Sequence, residues 1–140
     1  MAKSKIYVGI IGFGTVGSGT ARILLENASI IGKRAGGIDV VLKRIADRDV
    51  TRDRGVMLPA GTLIPSADDL LNDPEIDVVV ELVGGIHPAK DFILKAIENG
   101  KHVVTANKAL IATEGADIFA AAERKGVQVG FEAAVAGGIP

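Results

Sequence analysis

Cysteine is absent from the 140 residues. Disulfides, thiolate metal sites and a cysteine nucleophile are therefore excluded within this stretch, and the composition suits a cytoplasmic setting. An excess of one charge sign is also lacking. The 16 Lys and Arg against 17 Asp and Glu leave a formal charge of −1, which gives no electrostatic footprint for nucleic acid or an anionic membrane. No apolar run approaches the roughly 20 residues of a membrane span. Met1–Lys5 is too short for a signal peptide before a strand-like run begins. Repeats and low-complexity segments are missing. Histidine is scarce, and neither His87 nor His102 has a partner at metal-ligand spacing.

What is present fits one globular domain. Hydrophobic residues make up 48% of the chain and charged residues 24%, enough apolar material for a single core. Many of the 18 glycines stand at the ends of apolar runs. Strand-like and helix-like stretches alternate, which predicts an α/β fold with a mainly parallel, doubly wound sheet and helices on both faces. Ile6–Ile11 reads as a strand buried on both sides. A helix follows over Thr15–Asn27 with Val16, Ile23 and Leu24 as its apolar stripe. Ser29–Gly37 reads as a loop, Ile38–Ala46 as a strand and Thr51–Pro65 as irregular. Ser66 is placed to cap a short helix through Asp68 and Asp69. Ile76–Val83 is the next strand. Pro88 suits the first turn of a helix ending at Asn99, with Gly100 after it. Lys101–Thr105 is a strand opened by His102, Glu114–Lys125 a helix stopped by Gly126, and Val127–Phe131 a last strand. His87 falls at a helix entrance. The run Gly137-Gly138-Ile139-Pro140 has no closing helix, so 1–140 is expected to be one domain of a longer chain.

Gly12-Phe13-Gly14-Thr15-Val16-Gly17 matches G-x-G-x-x-G in the required context, between an apolar strand and a helix. Gly12 permits the tight turn, Gly14 lets a pyrophosphate approach the backbone, and Gly17 lets the helix pack against the strand. The helix N-terminus offers N–H groups and partial positive charge to phosphates. The competing reading is a plain tight turn. After the second strand comes Ala46-Asp47-Arg48-Asp49. An acidic residue here binds the ribose 2′-hydroxyl of NAD, and a basic one the 2′-phosphate of NADP. Asp47 and Arg48 supply both signals, with Lys43 and Arg44 as alternative donors, so NADP, NAD or both remain open. Asp47 lies about thirty residues past the fingerprint against a usual ~20, an excess that the 29–37 loop accounts for. These charges could also be plain solvated surface.

Ligands of open parallel sheets sit at the carboxyl ends of the strands. Thr105-Ala106-Asn107-Lys108 lies at one such end. Lys108 could hold a carboxylate or polarise an oxygen, or be an exposed lysine at a helix approach. Asn107 offers amide donors and an acceptor. Glu81, within an apolar strand, either faces the crevice or caps a neighbouring backbone group. Glu132 precedes small residues with unshielded carbonyls, a donor set suited to a hard cation, or is an ordinary loop glutamate.

Three segments together, Ile10–Gly17, Gly100–Lys108 and Gly130–Pro140, resemble homoserine dehydrogenase. The resemblance implies NAD(P)-dependent interconversion of L-homoserine and L-aspartate 4-semialdehyde, in the route to threonine, methionine and isoleucine. It implies that Gly12, Phe13, Gly14, Thr15, Val16 and Gly17 hold the cofactor, joined by Asp47, Arg48, Thr105 and Lys108. Lys108 would stand beside the nicotinamide and the substrate. Glu132, Val135, Gly137 and Ile139 match the family's sodium site. The proton-transferring lysine and the substrate carboxylates would lie beyond Pro140, as would most contacts of a homo-oligomer. The isolated chain is thus expected to bind cofactor without turnover. Two other readings stand beside this one: the cofactor domain of another semialdehyde dehydrogenase, and an NAD(P)H-binding sensor or regulatory domain.

Overall fold

The computed structural model describes residues 4–131. Its elements in chain order are β1 (Lys5–Ile11), α1 (Thr15–Glu26), α2 (Ala28–Arg34), β2 (Asp39–Ala46), β3 (Leu63–Ile64), α3 (Ala67–Leu71), β4 (Val78–Glu81), α4 (Ala89–Glu98), β5 (His102–Thr105), α5 (Lys108–Lys125) and β6 (Val129–Gly130). The strands form one sheet in the order β3-β2-β1-β4-β5-β6, with each neighbouring pair parallel. The chain moves outward from β1 through β2 to β3, then returns to the other side of β1. This reversal is the topological switch point of the Rossmann-like arrangement that the sequence predicts.

The register lines up the strand ends. Ile64 pairs with Ala46, Ala46 and Glu81 each pair with Ile11, and Glu81 pairs with Thr105. These five residues form one row at the carboxyl edge. The chain leaves the sheet there, at Pro65, Asp47, Gly12, Leu82 and Ala106.

The two faces of the sheet carry separate cores. Val8, Ile10, Leu42 and Ile45 pack with Phe13 and Ala21 on the α1 side. Ile11, Val79 and Val103 pack with Leu70, Ile93, Ile97, Leu110 and Ile118 from α3, α4 and α5. Strand side chains alternate between faces, so Val79 belongs to one core and Val78 and Val80 to the other. In β2 the alternation slips. The pairing jumps from Val8–Leu42 to Gly9–Arg44, which leaves Lys43 as an extra residue. This bulge puts Leu42 and Ile45, three apart, on the same face. Gly9 has no side chain because Leu70 and Ile76 occupy its place. A Cβ there would lie 2.8 Å from the Leu70 side chain.

Several boundaries and one stripe differ from the sequence-based expectation. Residues 29–34, expected as loop, belong to α2. Helix α5 starts at Lys108 rather than Glu114, because the Asn107 side chain caps it by accepting the Leu110 N–H at 3.0 Å. Within the irregular segment, Leu63 and Ile64 pair with β2. Of the expected stripe Leu24 packs against the core, but Val16 and Ile23 are 60% and 55% exposed, and the residues that α1 buries are Gly17 and Ala21. Small residues let this helix lie close to the strands. The caps agree with expectation: Ser66 accepts the Asp69 N–H, and Gly100 and Gly126 take positive φ after α4 and α5.

The bulged Lys43 donates to Asp73 at 2.6 Å and to Glu75 at 2.8 Å, tying β2 to the turn before β4. Hydrogen bonds from Lys43 to both carboxylates raise its pKa. Burial pushes the Asp73 carboxyl up, but the Lys43 hydrogen bond, the Glu75 N–H and the Lys43 charge outweigh it, and the net shift is downward. The carboxyl therefore contributes stability above its ordinary value of 3.8, lost as pH falls through the lower folded value. The lysine contributes below 10.5, lost as pH rises through the higher folded value. A Lys43→Met variant is expected to be less stable by about 1 kcal/mol at neutral pH. Urea titrations of both proteins should show that gap constant from pH 5 to 9 and shrinking toward pH 3. A gap unchanged at pH 3 would show that the pair contributes through packing alone.

Candidate functional site

The Gly12–Gly17 turn sits at the switch point, between the ends of β1 and β4. Its shape is enforced by contacts on three sides. Gly12 has φ +104°, and a Cβ there would meet the Leu82 carbonyl at 2.9 Å. Its N–H donates to the Ala46 carbonyl at 2.9 Å. A Cβ on Gly17 would lie 2.0 Å from the Gly12 oxygen, so α1 can pack here only without one. Gly14 differs from both: a Cβ on it would meet nothing within 4 Å. The space in front of Gly14 is open, and it lies where a phosphate would approach the turn. Helix α1 has no side-chain cap and no acidic residue in its first turn, so its positive N-terminal end is not neutralised by its own residues.

A hollow opens on each side of this turn. The larger, about 740 Å³, runs between Gly12–Gly14, the Asp47-Arg48 pair, Pro65–Asp68 and the Leu82–Gly84 loop, with His87, Pro88 and Phe92 at its far wall. The smaller, about 200 Å³, lies between Val16, Glu81, Leu82, Gly84, Ala106 and Asn107. Two separate hollows that share Leu82 and Gly84 beside a glycine turn at a helix N-terminus match an extended molecule with a diphosphate at its middle.

The residues named from sequence fall into four groups. Gly12, Phe13, Gly14, Asp47 and Arg48 border the larger hollow, and Val16 borders the smaller. Arg48 is exposed, with no ion-pair partner among the described residues. Thr15 is exposed in the first turn of α1. Thr105 is fully buried, and its hydroxyl donates to Glu81 at 2.6 Å. Lys108 is the exposed first residue of α5, three positions past the end of β5, and lines neither hollow. Glu132, Val135, Gly137 and Ile139 lie outside the described residues.

Glu81 caps backbone groups and also borders the smaller hollow. It is fully buried at the end of β4. One oxygen receives the Thr105 hydroxyl, and the other receives the Val83 N–H at 2.8 Å and the Gly84 N–H at 3.4 Å. Thr105 Oγ1 in turn accepts the Asn107 N–H at 3.0 Å, and the Asn107 amide donates to the Gly85 carbonyl. This chain of bonds ties the 82–85 loop, the end of β5 and the cap of α5 into one unit beside the smaller hollow. Both histidines are on the surface, His87 at the border of the larger hollow. His102 Nδ1 accepts the Gln128 N–H at 3.0 Å, and His87 faces Asp91 across 3.7 Å on the surface.

Arg54 is the site residue that the sequence does not single out. Its side chain is only 5% exposed and pairs with Asp47 at 3.2 Å. Its Nε donates to the Phe13 carbonyl at 2.7 Å, and its guanidinium lies over the Phe13 ring, 4.8 Å from the centroid. Asp47 completes the clasp by accepting the Phe13 N–H at 2.7 Å. Both backbone groups of the second fingerprint residue are thus held by side chains from the loop after β2. That loop is itself knotted by Asp49. The Thr51 N–H and hydroxyl and the Arg52 N–H donate to its carboxylate, whose pKa they lower to about 2, the Thr51 N–H most of all.

Comparison with known proteins agrees with this geometry. Residues 12–132 match the family described as homoserine dehydrogenase, NAD binding domain. A homoserine dehydrogenase of Pseudomonas aeruginosa is 54% identical over 136 residues, covering 96% of this chain and 30% of that protein. The crystal structure of a homoserine dehydrogenase from Thiobacillus denitrificans superposes with a TM-score of 0.85 at 51% identity, over 94% of this chain and 30% of the other. A hyperthermophilic archaeal homoserine dehydrogenase, solved in complex with NADPH, shares the fold with a TM-score of 0.69 at 23% identity, over 92% of this chain and 44% of its own. The chain spans about 30% of the length of the curated relatives it matches. It belongs to the homoserine dehydrogenase NAD-binding-domain family.

Proposed function

We propose that this member of the family supplies the nicotinamide-dinucleotide-binding part of an enzyme that interconverts L-homoserine and L-aspartate 4-semialdehyde. The observation that carries the reading is the glycine turn at the switch point, open at Gly14 and flanked by two hollows. The diphosphate would lie on Gly14, Thr15 and the start of α1, with the adenosine ribose toward Asp47 and Arg48. The nicotinamide would enter the smaller hollow, between Val16 and Ala106. When bound, the cofactor supplies or accepts the hydride. The residues of this chain orient it. The bonded unit of Glu81, Thr105 and Asn107 fixes the walls of the smaller hollow. Lys108, the exposed residue after Asn107, provides a positive charge for the oxygen or the carboxylate of the substrate. Glu132 with the carbonyls of Val135, Gly137 and Ile139 forms the proposed monovalent-cation site. The proton-transferring lysine is proposed to lie outside these 140 residues, and the working enzyme is proposed to be a cytoplasmic homo-oligomer.

The test is a titration of the purified chain with NADPH, NADH and adenosine, followed by nicotinamide fluorescence, with circular dichroism to verify folding. Saturable binding of a dinucleotide, at least about tenfold tighter than adenosine, is expected, with no oxidation of homoserine. A folded chain that binds neither dinucleotide would overturn the reading.

A further inference from the structure

Asp47 occupies the place where a carboxylate ordinarily selects the unphosphorylated ribose, yet most of its capacity is already committed. Its two oxygens accept from the Phe13 N–H, the Asp49 N–H and Arg54. An ionised carboxylate has about four acceptor positions, so little more than one is left for a ribose hydroxyl. Its charge is also answered. The Arg54 guanidinium lies 3.2 Å away, inside a side chain only 5% exposed, where screening by solvent is weak. Arg48, the next residue, borders the same hollow and is exposed. The other carboxylate among the lining residues, Asp68, pairs with Lys95 at 3.2 Å on the surface.

We propose that Arg54 is a specificity-determining residue that acts through Asp47. By neutralising that carboxylate it removes the repulsion a 2′-phosphate would meet and leaves Arg48 to hold the phosphate, so the site favours the phosphorylated dinucleotide. The proposal rests on the dinucleotide reading above. Arg54 does not touch the ligand. It is a positioning residue with an electrostatic effect, and that effect separates it from a mere brace. A brace holds the fingerprint turn for both cofactors, and its loss would weaken NADPH and NADH alike. Loss of a charge opposite Asp47 changes their ratio.

The experiment measures the dissociation constants of this chain for NADPH and NADH in low salt. Arg54→Met keeps an apolar stem over Phe13 and removes the charge. It is expected to shift the NADPH-to-NADH affinity ratio about tenfold toward NADH. Arg54→Lys should recover most of the ratio, and Asp47→Asn added to Arg54→Met should restore it. Arg48→Gln should weaken NADPH by about tenfold more than it weakens NADH. Should Arg54→Met not fold, Asp47→Asn alone carries the test. It leaves Arg54 unopposed, and the ratio should move at least about threefold toward NADPH. A ratio unmoved by these changes, in a chain that binds both dinucleotides, overturns the role of Arg54 alone. A wild-type chain that binds neither overturns the dinucleotide reading itself.

Discussion

Replacing Gly17 with alanine is expected to lower the melting temperature by roughly 10 °C, the equivalent of about 3 kcal/mol for a domain of this size. Inside a helix, alanine is ordinarily the better residue by about 1 kcal/mol. Here that gain is overridden, because the new methyl would sit 2.0 Å from the Gly12 carbonyl oxygen. The oxygen has nowhere to retreat. Gly12 is tied to Ala46 through its N–H and pressed against the Leu82 backbone. Either α1 moves off the sheet and loses the contacts of Ala21, or the turn opens. Gly14→Ala is the matching control. Gly14 has φ −84°, and its added Cβ meets no protein atom, so stability should change by less than about 0.5 kcal/mol. Dinucleotide affinity should nonetheless fall by at least about tenfold, since the methyl fills the space a phosphate needs. Thermal melts and NADPH titrations of the two variants separate the glycine required for folding from the glycine required for binding. A Gly14→Ala chain with undiminished affinity would place the diphosphate elsewhere.

The same contrast marks how far local pattern reaches. The tasks of Gly12, Gly14 and Gly17 are local: each follows from a strand, a turn and a helix adjacent in sequence. The strands are legible because burial on both faces leaves unbroken apolar runs such as Val78–Val80, and the helix stops because Gly100 and Gly126 are cheap at positive φ. Helix α2 is not legible. Its one buried residue is Gly32, packed against the Ile38 carbonyl, and a glycine contact leaves no stripe. The start of α5 is hidden for a different reason. Asn107 has the character of a ligand-binding amide, and its capping bond to Leu110 is evident only with the helix in place. Arg54 is beyond reach. The run from Asp47 to Arg54 mixes acids and bases, and any of its arginines could turn inward. The one that does is chosen by Phe13, 41 positions earlier. Asp47 shows the consequence: an acidic residue in the expected place, whose meaning depends on a partner that local pattern does not reveal.

Glu81 is where sequence leaves two readings open, and substitution can decide between them. In the structure its oxygens receive three donors, and the Thr105 hydroxyl is fully buried with it. Glutamine can replace only part of this. Its carbonyl can face the Val83 and Gly84 N–H groups, and its amide then points at Thr105 Oγ1. That oxygen can accept, but its own proton loses its partner. Glu81→Gln should therefore cost about 1–3 kcal/mol. Glu81→Leu removes every acceptor and strands the buried hydroxyl together with the loop N–H groups, at about 3–5 kcal/mol. The loss should extend to the loop that walls both hollows, because Val83 and Gly84 are held by the same carboxylate. Denaturant unfolding and NADPH titration of the folded Glu81→Gln chain, taken together, discriminate the roles. A large loss of stability with affinity reduced only a few-fold identifies a brace. Unchanged stability with affinity reduced more than about tenfold would mean that the carboxylate turns toward the cofactor, and that the bonds to Thr105 and Val83 do not govern its function.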